Sequence, residues 1–161
     1  MVTFKAQEYP PDMDNELVEL CDAVNCLPGI VTSCSCSGHN DKPTEIYFRV
    51  HDPQGIFFLA RCVSRRYWKY GDVWHIIVSD VCDGLSAGGF AEACYILESE
   101  HTGEKAYEEA HSLVQNIVHH LNHKNFLKGH NVDLNSFNVE GEPLGEDWWE
   151  QISPVASIPT R

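Results

Sequence analysis

An α+β fold is what this sequence predicts: a two-layer sandwich in the order α-ββα-ββα, with a mainly antiparallel four-stranded sheet and helices on one face. Three observations lead there. Helical stripes of apolar residues alternate with pairs of short β-branched segments, the connections within each pair are tight enough to favour antiparallel neighbours, and 161 residues with 43% hydrophobic content suffice for one core.

The elements follow in order. Asp14 precedes Leu17, Leu20, Cys21 and Val24 at helical spacing, so a helix is expected over 14–27, stopped by Pro28-Gly29. Residues 30–34 are short, β-branched and bounded by turn signals, which reads as a strand. Over 44–51, Ile46, Phe48 and Val50 alternate with Tyr47, Arg49 and His51, placing one set on a core face and the other opposite. Asp52-Pro53 combines a carboxylate cap with proline at the first helical position, opening a second helix over 53–68. Its apolar stripe is Ile56, Ala60, Val63 and Tyr67, and Arg61, Arg65 and Lys69 recur along one flank. Trp74, Ile76 and Val78 alternate with residues that are themselves largely apolar, which suggests a central strand; 90–98 supplies the fourth. Between them the glycine-containing 80–89 is read as a turn. Ala106, Ala110, Leu113, Val114, Ile117 and Leu121 draw the stripe of a last helix over 104–123.

One domain is expected over 1–127. Residues 128–161 differ, with glycines, prolines and an acidic cluster between Glu140 and Glu150, and read as an irregular acidic tail folded back through Trp148-Trp149, whose indoles would otherwise form an apolar patch.

Charge narrows the function classes. Asp plus Glu number 24 against 11 Lys plus Arg, a net charge of −13, which disfavours duplex nucleic acid because such binding depends on cations neutralising phosphates. Five of the 11 basic residues nevertheless lie between 49 and 69, giving that stretch a local positive field. No segment approaches the roughly 18 apolar residues of a membrane span, and the N-terminal residues lack a basic start followed by an apolar run, so a cytoplasmic protein without membrane contact is expected. Seven cysteines with no secretory signal argue for reduced thiols, several of them small core residues.

Chemistry concentrates in residues 29–39, where a β-branched run enters a loop of thiols, hydroxyls and one imidazole. Cys34-x-Cys36-x-x-His39 has soft ligands but not the paired knuckles of structural zinc, and His119 and His123, four apart on the last helix, read as a solvated face together with His111 and His120; no metal and no cofactor are expected. Cys36 and His39 are close in sequence, but nothing in the chain ensures that imidazole meets sulfur. Anion binding is the preferred reading. A serine-rich turn offers hydroxyls and backbone amides, and converging guanidinium groups would complete a pocket from Ser35, Cys36, Ser37, Gly38, His39, Arg49, Arg61 and Arg65. The alternative is that these arginines pair with acids on a solvated face.

Two resemblances add expectations. Thr32-Ser33-Cys34-Ser35-Cys36-Ser37-Gly38-His39 resembles the Ser-Cys-Ser-Gly-Arg signature of the tRNA wybutosine-synthesising methyltransferase family, with His39 where the family has arginine. That implies a mixed α/β fold and methyl transfer from S-adenosylmethionine. The longer pattern Cys21-x3-Asn25-x-Leu27-Pro28-Gly29-Ile30-x-Thr32 through Cys36-x-Gly38-His39 resembles a group of small uncharacterised bacteriophage and bacterial proteins. A phage relationship implies work in the host cytoplasm. The leading expectation is a protein that binds a small anionic or nucleotide ligand and sequesters a host nucleotide signal. Other readings are an enzyme acting on a nucleotide or RNA through Cys36 or His39, and an acidic inhibitor of a host protein. Self-association stays open, since a neighbouring subunit often completes a small pocket.

Overall fold

The computed structural model describes residues 3–38, 41–64, 73–79, 93–122 and 137–140. Its elements run β1 (Thr3–Phe4), α1 (Asn15–Asn25), β2 (Ile30–Cys36), β3 (Glu45–Val50), α2 (Pro53–Val63), β4 (Trp74–Val78), β5 (Ala93–Ser99), α3 (Gly103–Asn122) and β6 (Val139–Glu140). Strands β2 to β5 form an antiparallel sheet in the order β2-β3-β5-β4, and the three helices pack on it as the sequence predicts.

Alternation in β3 sets the layers. Ile46 and Phe48 are fully buried, Ile46 opposite Leu97 and Phe48 opposite Tyr95 on β5, with the Phe48 and Tyr95 rings stacked at 5.7 Å. Leu17, Leu20 and Val24 of α1, Leu59 of α2, and Leu113 and Ile117 of α3 close the same core. The Asp52 side chain caps α2 by accepting from the Gln54 amide at 2.9 Å, with proline at the first turn as expected. Gly55 lets that helix approach the Pro28 carbonyl, a contact that a Cβ at this position would block.

Several local expectations change. Strand β2 continues to Cys36, and a bulge between Thr32 and Cys34 makes Ser33 the extra residue. Cys34 and Cys36 therefore pair with Tyr47 and Glu45 on the face away from the helices, whereas Thr32 and Ser35 pair with Phe48 and Ile46 on the core face. Strand β4 is not central: among the described residues it pairs with β5 alone. Its apolar composition suggested burial on both faces, yet only Trp74 is deeply buried, and Val78 is 72% exposed. Helix α2 is described to Val63, with Ser64 extended after it; the remainder of the expected 53–68 helix, the 80–89 turn and Trp148-Trp149 lie outside the described residues.

The histidine-bearing end of α3 is not a solvated face. His119 and His120 are almost fully buried, as is Asn116, whose Nδ2 donates to the Cys62 carbonyl at 2.6 Å. The His120 Nδ1 bonds to the Asn116 carbonyl at 2.8 Å, and its ring meets Phe58 edge-on. The Asn116 amide ties α3 to the end of α2, and the His120 Nδ1 finds its partner within α3 itself. Phe137 enters the core against Phe58 at 5.2 Å, the Asn138 amide donates to the Cys26 carbonyl, and β6 pairs with β1. Cys21, Cys26 and Cys62 are small core residues, as the composition suggests. The expectation of reduced thiols throughout does not hold, because Cys94 is disulfide-bonded, its partner lying outside the described residues. Among the described residues no helix is long and apolar enough to cross a membrane.

Candidate functional site

The hydroxyl and thiol run divides into two parts with different environments. Thr32 to Cys36 lie on β2, an edge strand of the sheet, and Ser37 and Gly38 follow it in a pinned turn. Ser37 is only 2% exposed; its amide donates to the Asp14 Oδ2 at 2.9 Å and its carbonyl accepts from the Thr44 hydroxyl at 3.0 Å. Gly38 has φ +84°, and a Cβ there would strike the Lys42 carbonyl, so this glycine serves a close backbone approach. The Ser37 amide that an anion would need is engaged by a carboxylate.

The arginines are not gathered around that turn. Arg49 stands on the face of β3 away from Ile46 and Phe48, whereas Arg61 belongs to α2 in the helix layer, on the other side of the sheet. Ser35 and Cys36, adjacent in sequence, point to opposite faces of the sheet. His39 and Arg65 lie outside the described residues. Among the described residues no histidine or carboxylate is hydrogen-bonded to the Cys36 thiol, and no group of three or more His, Cys, Asp or Glu side chains is arranged to hold a metal ion.

What the structure does assemble around β2 is a cavity of about 320 Å³ between that strand, α1 and the segment before α1. That volume is at the lower end of the roughly 300–1,000 Å³ common for small-molecule sites. Thr32, Ser33, Cys34 and Ser35 form one wall, and Tyr9 and Met13 stand across from them. Glu8 and Asp12 complete the described lining with carboxylates, and no cationic side chain belongs to it. Sequence reasoning missed residues 7–13 because they carry no periodic pattern; Tyr9 ahead of Pro10-Pro11 was the available signal for an ordered, extended segment.

A half-buried polar lattice holds this wall in place. The Tyr9 hydroxyl donates to the Asp22 Oδ1 at 2.6 Å, and the Asn25 Nδ2 donates to the Tyr9 oxygen at 3.2 Å and to the Thr32 Oγ1 at 2.7 Å. The Thr32 amide in turn donates to the Asn25 Oδ1 at 2.8 Å, so a side-chain amide takes the place of a neighbouring strand at this edge. Burial, and then the Asp22 hydrogen bond, push the Tyr9 phenol well above its ordinary value. Burial, followed by the nearby Asp22 charge, pushes the Cys21 thiol up to about 12, against the opposing effect of a Ser35 hydrogen bond. Tyr9 and Cys21 thus keep their protons at physiological pH, able to donate and accept hydrogen bonds, and Cys21 is not poised to attack as a thiolate.

Comparison with protein-family models, with curated proteins and with solved structures finds no match.

Proposed function

We propose that this chain is a small-molecule-binding protein whose ligand occupies the cavity beside β2, and that the ligand is a small organic cation with an apolar body. The observation that carries this reading is the lining: hydroxyls of Thr32, Ser33 and Ser35 on one wall, the Tyr9 ring and Met13 on the other, Glu8 and Asp12 as the charged groups. Hydroxyls orient a polar head, an aromatic face favours a cation, and the carboxylates add an attractive field in a chain of net charge −13. The anionic ligand expected from the serine-rich turn is replaced for an electrostatic reason, since the described lining repels phosphate. Capture of a ligand is the role proposed here, and the raised Cys21 thiol is consistent with binding at this wall without attack by that sulfur. If the resemblance to phage proteins reflects descent, that role is sequestration of a host metabolite.

Native mass spectrometry of the full chain, purified without denaturant, tests this. A single low-mass basic ligand at one per chain, recovered unchanged after denaturation and absent from Ser33→Trp, is the expected result. Wild type that remains empty when supplied with spermidine and choline would overturn it, as would recovery of a chemically altered ligand.

A further inference from the structure

The face of the sheet away from the helices carries its side chains in cross-strand rows. Cys36, Glu45, Glu98 and His75 stand in register across β2, β3, β5 and β4, and Cys34, Tyr47, Ile96 and Ile77 form the adjacent row. Two carboxylates directly opposite each other oppose sheet formation, so the Glu45–Glu98 pair is not explained by the stability of the fold. Burial, and then the neighbouring Glu45, raises the Glu98 carboxyl above its ordinary range, while His75 opposes the shift.

Among the described residues, the titratable groups around the pair belong to the same surface. The Tyr47 hydroxyl donates to the Glu45 Oε2 at 2.9 Å, an interaction that, with some burial, pushes the phenol up to about 12. The His75 Nε2 lies 2.9 Å from the Glu100 Oε1, Cys36 flanks Glu45, and Arg49 stands one row further along β3. The same face also carries apolar side chains, with Ile77 39% and Val31 50% exposed and Ile96 half-buried. An apolar surface centred on paired acids matches a partner that brings a cation between the carboxylates and apolar side chains onto their surroundings. Nucleic acid is repelled by the same groups, and a second copy of this chain would set one acid pair against another.

We infer that this sheet face is a docking surface for a basic segment of another protein, with an arginine or lysine lying across Glu45 and Glu98 and apolar neighbours covering Ile77 and Ile96. The inference does not depend on the cavity, which lies beyond the β2 edge.

The test is calorimetric titration of the full chain with a capped Arg-Leu-Arg-Leu-Arg-Leu peptide at low ionic strength. Glu45→Gln/Glu98→Gln should weaken binding at least about tenfold, whereas Glu104→Gln/Glu108→Gln, which removes equal charge from the exposed side of α3, should change it less than about twofold. Ile77→Ser, which leaves every charge in place, should weaken it several-fold. Equal loss in the two double variants would reduce the interaction to bulk charge and overturn the inference. So would an absence of binding by wild type, or sedimentation showing that a second copy already covers the face.

Discussion

Residues next to each other on β3 face two different worlds. Ile46 and Phe48 look into the helix layer and are fully buried, while Tyr47 and Arg49 look out from the other side of the same sheet. On the first face, identity is dictated by packing, because any loss of volume leaves a cavity in a close-packed interior. On the second, nothing within the described fold demands an acid pair, a tyrosine and an exposed isoleucine in register. Residues whose presence packing does not explain are therefore the informative ones about what meets the surface.

The largest separation between the faces should appear on truncation. Phe48→Ala removes a ring that is fully buried and stacked on Tyr95, and should cost about 3–5 kcal/mol in denaturant unfolding. Tyr47→Phe, one residue away, deletes only a hydroxyl bonded to Glu45 and should change stability by less than about 1 kcal/mol. Similar losses at the two positions would mean that the outer face is also packed, and the contrast would fail.

An intermediate effect is expected where the helix layer meets the β2 edge. Asn25→Ala leaves the Thr32 amide and hydroxyl without their partner and should cost about 1–3 kcal/mol. Hydrogen exchange should localise the damage, accelerating the Thr32 amide well beyond those of β3. Uniform acceleration across the sheet would show instead that Asn25 supports the whole core.

The smallest effect is a matter of pH. The Glu98 carboxyl titrates higher in the folded chain than in the unfolded one, chiefly through burial and Glu45, so the folded state holds that proton more tightly. Its contribution to stability is fully present below the ordinary glutamate range and is lost as pH rises through the raised value. Glu98→Gln should flatten this part of the stability profile, measured as unfolding midpoints between pH 4 and 7. An unchanged slope would remove the raised Glu98 carboxyl from the account.

How much of this was legible in the sequence follows from the same contrast. Period-two alternation in β3 and the helical stripes of α1 and α3 announce the core face, since packing imposes a repeat that sequence displays. The bulge at Ser33 does not announce itself, and it redirects Cys34 and Cys36 to the outer face. The edge position of β4 was hidden because its outward residues are as apolar as its inward ones. His120 looked solvated because its type is polar, and only the Asn116 carbonyl and the approach of Phe58 explain its burial. At the candidate site the hydroxyl run was visible, but what it faces was not: Tyr9 and Asp22 are 13 positions apart, and no local pattern joins them across the N-terminal segment.

The central claim is that the hydroxyl wall of β2 lines a site for a small cation. Its most direct test is amide and side-chain NMR of the full chain titrated in parallel with spermidine and with AMP. The account predicts saturable shifts of Thr32 to Ser35 and of Tyr9 with spermidine and none there with AMP. Saturable shifts of those residues by AMP, with spermidine inert, would contradict it.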